Sequence, residues 1–88
     1  MFEWDENKRL RTIEERGLDF RDAVAVFDGR PAIHAVSRRS EEQRIVSTAA
    51  IHGKLYTVVW VWRSGNQRII SFRRARNGEE RAYRQIFG

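Results

Sequence analysis

The chain has 88 residues, no cysteine, a hydrophobic fraction of 41% and a formal net charge of +5. The length predicts a single domain over residues 1–88, and this composition excludes disulfides, thiolate-bound metals and a disordered chain. No apolar run is long enough to cross a membrane, and the acidic start lacks the pattern of a signal peptide. We therefore expect a cytoplasmic protein.

The positive charge is concentrated after residue 29 and consists mostly of arginine. Residues 1–29 carry a net charge of −3 and residues 30–88 carry +8, and fifteen of the seventeen basic residues are arginine. Arginine binds phosphate through two parallel hydrogen bonds and stacks on bases, which lysine does not. Such a basic surface suits nucleic acid, and it is equally typical of an ordinary solvated face.

The first third of the chain predicts a short strand followed by two helices. Phe2-Glu3-Trp4 alternates apolar and polar residues as a strand does. Asp5 is a good N-cap for a helix from residue 6 to about residue 16, and Gly17 fits its C-terminal cap. Asp19 caps the second predicted helix. Four apolar residues at helical spacing form its core-facing stripe: Phe20, Ala23, Val24 and Phe27.

The rest of the chain predicts a small antiparallel sheet and a third helix. The elements are, in order, a short edge strand at 32–36, a polar loop at 37–42, strands at 44–51, 54–63 and 67–73 joined by turns at 52–53 and 64–66, and a helix from about 75 to 87. Strand 54–63 is apolar on both faces, so it should be central. Hairpins make the sheet antiparallel, and the fold class is α+β with two N-terminal helices and one C-terminal helix.

The side chains that could cleave RNA lie in the C-terminal half. The only imidazoles are His34 and His52, with no carboxylate pattern beside them, so we expect neither a metal nor another cofactor. RNA needs no metal when its 2′-hydroxyl attacks the adjacent phosphate. Arginines can stabilise the phosphate charge, and a carboxylate or phenol with a tuned pKa can transfer the protons.

The residues of these types form a cluster in the C-terminal stretch: Arg63, Arg68, Arg73, Arg74, Arg76, Arg81 and Arg84 with Glu79, Glu80 and Tyr83. Glu79 and Tyr83 lie at i and i+4 on the last helix, hence on one face. Arg63 and Arg73 are the last residues of two neighbouring predicted strands, although the register across the hairpin is not readable from the sequence. Each has a simpler explanation as well, because charges are ordinary beside a turn, Glu79 can pair with helical arginines, and Tyr83 can belong to the core.

A series of motifs runs through nearly the whole chain in a fixed order. They are Phe2-Glu3-Trp4-Asp5, Lys8, Gly17, Phe20, Ala23 and Val26-Phe27, then Arg44, Gly53, Val58-Val59 and Arg63, then Arg68-Ile69-Ile70-Ser71-x-Arg73-x-Ala75, Glu79 and Tyr83. Together they resemble the BrnT-type toxins. The resemblance implies a ribonuclease toxin of a type II toxin–antitoxin pair with a RelE-like fold.

The same resemblance implies partners and a site. The partners are RNA and a DNA-binding BrnA-type antitoxin, with the toxin forming a homodimer inside a complex that represses its own promoter. Carried over by position, the catalytic residues are Arg63, Arg73, Glu79 and Tyr83. We expect four further arginines to bind RNA: Arg44, Arg68, Arg74 and Arg76.

Two departures from the family pattern keep other functions open. The usual Lys-His pair before Gly17 is replaced by Glu15-Arg16, and Phe72 stands where the family has alanine. One alternative is a non-catalytic RNA-binding or inactive toxin-fold module, which would bind RNA in a salt-dependent way without cutting it. The other is a structural subunit that acts only through its partner.

Overall fold

The computed structural model describes residues 1–39 and 42–88 of the chain. Its elements are, in order, β1 (Phe2–Glu3), α1 (Glu6–Arg16), α2 (Phe20–Ala23), a 3-10 helix (Val24–Phe27), β2 (Ala32–Arg39), β3 (Glu42–Ile51), β4 (Lys54–Arg63), β5 (Asn66–Arg74) and α3 (Asn77–Phe87). The α+β class predicted from the sequence is confirmed. No helix in this part of the chain is long and apolar enough to span a membrane.

The described strands form one sheet in the order β1-β5-β4-β3-β2, and β4 is central as predicted. Strands β2 to β5 pair antiparallel, whereas β1 runs parallel to β5 through Phe2 opposite Gln67 and Glu3 opposite Arg68. The prediction of a purely antiparallel sheet is therefore wrong at this edge. Hairpins impose antiparallel pairing only on strands that they connect, and β1 and β5 are separated by α1, α2, the 3-10 helix and strands β2 to β4.

The hairpin turns follow the predicted chemistry. His52 and Gly53 both have positive φ, at 50° and 78°, and Ser64 and Gly65 have 52° and 79°. Two successive residues with positive φ form the tight turn whose twist matches antiparallel strands. These turns fix the register of β4 against both of its neighbours.

The first long hairpin, β2 to β3, is longer than predicted. Residues 37–39 and Glu42 belong to strands, because Ser37 pairs with Arg44 in the ladder and this pairing outweighs their polar composition. The predicted polar loop is wrong at those positions. Its remaining residues, Ser40 and Glu41, lie outside the described residues.

The second predicted helix also differs, because it continues as a 3-10 helix after one α-helical turn. With about three residues per turn, the buried positions become Phe20, Ala23 and Val26, each at most 1% exposed. Val24, which the helical spacing placed in the core stripe, is only partly buried.

The sheet has two different faces. One face packs against α2 and the 3-10 helix and carries the core, which includes Val58 and Trp60 of β4. Because side chains alternate along a strand, Thr57 and Val59 lie on the opposite face, where α3 packs. This second face is only partly covered by α3, so it is the face that can form a site.

Candidate active site

The C-terminal helix is joined to the sheet by a pair of opposite charges. Arg73 on β5 donates from Nη1 to Oε1 of Glu79 at 2.7 Å and from Nη2 to Oε2 at 2.9 Å. Thr57 lies opposite Arg73 in the ladder, and its Oγ1 donates to Oε1 of Glu79 at 3.0 Å. The backbone N–H of Arg76 donates to the same oxygen at 2.8 Å. Glu79 thus caps the start of α3 while it fixes the Arg73 guanidinium.

These donors set the charge state of Glu79. They lower the pKa of Glu79 to about 2, with the hydrogen bonds from Arg73 the largest cause, partial burial opposing them, and the Arg76 N–H and Thr57 hydroxyl assisting. Glu79 is therefore ionised at neutral pH and a weak proton acceptor. Its chemistry suits holding Arg73 better than transferring a proton.

Beside this pair, the second face of the sheet contains a cleft of about 350 Å³. Its cationic lining residues come from four different elements or connections: Lys8, Arg44, Arg73 and Arg76. Ser37 and Ser71 add hydroxyl groups. Within the described residues, no group of three or more His, Asp or Glu side chains could hold a metal ion. The donor set is therefore cationic and suits an anionic ligand.

The floor of the cleft is apolar. It contains Val46, Val59 and Ile70 from three adjacent strands. Val59 pairs with Ser71 but Trp60 pairs with Ile69, so Ile70 is an extra residue that forms a bulge in β5. The bulge places Ile70 next to Ser71 at the cleft. An apolar floor with cationic walls matches the two parts of a nucleotide, a flat ring and a phosphate.

Arg44 has an unusual environment in this cleft. Its Nε is buried and has no hydrogen-bond partner within the described part of the chain. A buried N–H without an acceptor costs about 1–3 kcal/mol. Arg44 therefore keeps a guanidinium at the cleft at a cost to stability, which marks it as a candidate anion-binding residue.

The structure does not bring Arg63 into this cleft. Arg63 lies at the hairpin end of β4, where its Nη2 contacts Oε1 of Glu42 at 2.9 Å and both side chains are exposed. It is six residues from Thr57 along the strand, or about 20 Å at 3.3 Å per residue. The ladder explains this separation, because Arg63 pairs with Asn66 and Arg73 with Thr57.

Tyr83 also lies away from the cleft. It shares the sheet-facing side of α3 with Glu79, as the i, i+4 spacing predicted, but one turn further on. Its hydroxyl donates to the carbonyl of Pro31 at 3.3 Å, and its ring centroid is 4.9 Å from that of Phe87. The phenol therefore fixes α3 near the start of β2.

Of the four arginines predicted to bind RNA, two line the cleft and two lie elsewhere. Arg44 and Arg76 line the cleft. Arg68 instead contacts Glu3 at 2.8 Å and ties β1 to β5. Arg74 lies with Tyr56, its guanidinium carbon 5.4 Å from the ring centroid, and its Nε donates to the carbonyl of Leu55 at 3.4 Å.

Sequence reasoning missed Lys8 as a site residue, although it lies in the N-terminal motif. Lys8 is on α1, which reaches the edge of β5 and brings the lysine into the cleft. Burial is the largest cause of its lowered pKa, followed by the charge of Arg44. Only the long-range packing of α1 on β5 reveals this position, since Lys8 precedes the other cationic cleft residues by at least 36 positions.

The two departures from the toxin pattern meet outside the cleft. Arg16, in the position of the usual histidine, donates from Nη1 to the carbonyl of Phe72 at 3.1 Å. The Phe72 side chain is buried in the core against Tyr56, with ring centroids 5.5 Å apart. The Arg16 contact joins α1 to the backbone of β5, the Phe72 side chain fills the core, and neither residue lines the cleft.

The chain matches one known protein family. Residues 4–79 match the family described as the ribonuclease toxin, BrnT, of type II toxin-antitoxin systems. The chain belongs to this family. Membership implies a ribonuclease toxin with an RNA substrate and an antitoxin partner. Among curated proteins, no match to the chain is found.

The extent of the family match agrees with the location of the cleft. The matched segment includes Lys8, Arg44, Arg73 and Arg76, and it ends at Glu79. The segment that defines the family thus contains the whole described lining of the cleft.

Proposed function

We propose that this toxin is a metal-independent endoribonuclease with its active site in the cleft between β3, β5 and the start of α3. The observation that carries the proposal is the set of four cations around an apolar floor, including a buried Arg44 Nε with no acceptor within the described residues. Membership in a family of ribonuclease toxins supports the same reaction class. The RelE-like fold expected from the resemblance is part of this proposal.

The proposed reaction is the attack of the RNA 2′-hydroxyl on the adjacent phosphate. Negative charge builds on the non-bridging phosphate oxygens in the transition state. Arg73 and Arg44 stabilise that charge through charge-assisted hydrogen bonds. Glu79 accepts two hydrogen bonds from Arg73 and one from Thr57, so the guanidinium of Arg73 already has a fixed direction before the substrate binds.

Glu79 has a positioning role in this proposal. Its two oxygens hold both terminal nitrogens of Arg73, and its pKa of about 2 keeps it ionised throughout the physiological range. Neither Arg63 nor Tyr83 contacts the scissile phosphate, because the first is paired with Glu42 and the second with Pro31.

The apolar floor favours an unpaired nucleotide. A cleft of about 350 Å³ is at the small end of ligand-binding pockets, and a base or ribose can pack on Val46, Val59 and Ile70. A base paired within a helix is not free to enter it. Single-stranded segments of cytoplasmic RNA are therefore the proposed substrate.

A cleavage assay with purified protein tests the proposal. Without ribosomes, single-stranded RNA in the presence of EDTA should yield fragments with a 2′,3′-cyclic phosphate and a 5′-hydroxyl, and Arg73→Ala should yield far less. A second reaction contains ribosomes and the Mg²⁺ that keeps them assembled. A strict requirement for added divalent metal in the reaction without ribosomes would overturn the metal-independent mechanism. Salt-dependent binding with intact RNA in both conditions would favour the non-catalytic alternative.

The cellular part of the proposal is growth arrest that a BrnA-type antitoxin relieves. Induction of the toxin alone should stop growth and deplete mRNA. Co-expression of a small DNA-binding protein encoded beside the toxin should restore growth and co-purify with it. The mass of the purified complex then tests the proposed toxin homodimer.

A further inference from the structure

The cleft contains few groups that can give up a proton. Arginine side chains, which supply most of its cations, do not release a proton at physiological pH. Glu79 is ionised, and its Oε1 already accepts hydrogen bonds from Arg73, Thr57 and the Arg76 backbone. Of the titratable side chains that line the described cleft, Lys8 is the one whose proton can transfer.

The backbone of Lys8 is fixed within α1. Its backbone N–H donates to Oδ1 of Asp5 at 3.2 Å, and its carbonyl accepts from Oγ1 of Thr12 at 2.9 Å. The next residue, Arg9, is buried and contacts Asp19 at 2.8 Å, which ties α1 to the start of α2. Within the described residues, β1 pairs with β5 at Gln67 and Arg68, so α1 can approach the later part of that edge.

Charged groups on α1 and β3 act on Lys8. Arg11 and Arg16 lie on the same helix, Arg44 faces Lys8 from β3, and Asp5 is the N-cap of α1. Burial, Arg44 and the helical arginines lower the pKa of Lys8, whereas Asp5 raises it. Arg73, Arg76 and Glu79 line the same cleft as Lys8. Lys8 also borders a smaller pocket of about 160 Å³, and Glu15 is the acidic residue that lines it.

Resting on the proposed ribonuclease function, we propose that Lys8 is the general acid that protonates the leaving 5′-oxygen of the cleaved RNA. The 2′-oxygen forms a bond to phosphorus, the bond from phosphorus to the 5′-oxygen breaks, and the ammonium of Lys8 gives its proton to that oxygen. The proton of the 2′-hydroxyl goes to solvent water. Lys8 then regains a proton from solvent, and the products are a 2′,3′-cyclic phosphate and a 5′-hydroxyl.

Two RNA substrates that differ in one atom test this role. The first is an ordinary oligonucleotide, and the second carries sulfur in place of the 5′-oxygen at a single cleavable position. A thiolate leaves without protonation, so it needs no general acid. Lys8→Met should cleave the oxygen substrate 10²- to 10⁴-fold more slowly than the parent and the sulfur substrate within about tenfold of the parent rate.

Two further variants separate proton transfer from charge. Lys8→Arg keeps a cation in the cleft but cannot release its proton, so it should show the same selective loss on the oxygen substrate. Lys54→Met changes the other lysine, at the exposed start of β4, and should cleave both substrates as the parent does. Circular dichroism of all variants confirms that they fold.

Each outcome has a distinct meaning. Equal losses on both substrates would make Lys8 a binding or charge-stabilising residue and overturn the proposal, as would an unimpaired Lys8→Met. In both of those cases the parent still cleaves RNA, so the proposed function survives. If the parent itself cleaves neither substrate, with or without ribosomes, then the proposed function fails as well.

Discussion

Two arginine–glutamate pairs in this toxin have similar contact distances and very different surroundings. Arg73 and Glu79 meet at 2.7 Å with side chains 15% and 23% exposed, whereas Arg63 and Glu42 meet at 2.9 Å with side chains 49% and 39% exposed. The first pair has two parallel hydrogen bonds and further donors on the glutamate, and the second has one contact. Burial and the number of donors, not the distance, distinguish a positioned arginine from a surface charge.

The two pairs also differ in what they contribute to stability and to the site. An exposed pair such as Arg63–Glu42 contributes only about 0–1 kcal/mol, because water and salt screen it and both side chains lose freedom. The partly buried pair holds a guanidinium in a fixed direction at the cleft, which is useful for stabilising a transition state. Four predictions test this contrast between the cleft pair and the hairpin pair.

Of these four predictions, the largest effect is expected at Arg73. Arg73→Ala should reduce the rate of RNA cleavage about 10²- to 10³-fold, because it removes a preorganised donor to the phosphate. The matched control is Arg74→Ala, the adjacent arginine, which lies beside Tyr56 and should stay within about twofold of the parent. Initial rates on a labelled oligonucleotide measure both, and equal losses in the two variants would contradict the assignment of the cleft.

The next effect concerns stability in acid. Because folding lowers the pKa of Glu79 from 4.5 to about 2, its contribution is present above pH 4.5 and is lost as the pH falls toward 2. The free energy of unfolding of the parent should therefore fall by on the order of 2 kcal/mol more than that of Glu79→Gln across this window.

Urea unfolding at several pH values measures this difference. The control is Glu42→Gln, which removes the glutamate of the exposed pair and should keep the acid sensitivity of the parent. If Glu79→Gln were as acid-sensitive as the parent, the bidentate pair would not be the source of the shift.

A smaller effect is expected at Arg44. Arg44→Ala should weaken RNA binding about tenfold and reduce the magnitude of the salt slope of log K by about 1, because one phosphate contact is lost. Fluorescence anisotropy at several salt concentrations measures both quantities. Arg63→Ala should leave the slope unchanged, and the reverse pattern would place the phosphate contacts at the hairpin.

The smallest effect is expected at the hairpin pair. Arg63→Ala should change the free energy of unfolding by less than about 1 kcal/mol and the cleavage rate by less than about twofold. Thermal or urea unfolding and the same oligonucleotide assay measure these values. A loss of 10²-fold or more in rate would show that the hairpin end takes part in catalysis.

The sequence could predict those features that depend on neighbouring residues. The cap at Asp5, the stop at Gly17 and the two hairpin turns are each determined within a few positions, and the structure confirms them. The central position of β4 also followed from its apolar residues on both faces. Glu79 and Tyr83 share a helix face for the same local reason.

Features that depend on distant residues could not be predicted in this way. The parallel pairing of β1 with β5 and the approach of Lys8 to the cleft both join the N-terminus to the last strand. The separation of Arg63 from Arg73 depends on the ladder register, and the bulge at Ile70 has no glycine or turn residue to announce it. Arginines that look equivalent in the sequence thus acquire different roles through packing.

The most direct test of the cleft as the RNA site is the NMR signal of each arginine Nε–H during titration with RNA. An oligonucleotide with a 2′-deoxy sugar at the cleavable position binds without being cut, since it lacks the nucleophile. The account predicts that the signals of Arg44, Arg73 and Arg76 shift with RNA concentration while those of Arg63 and Arg68 stay in place. Shifts confined to Arg63 and Arg68 would contradict it.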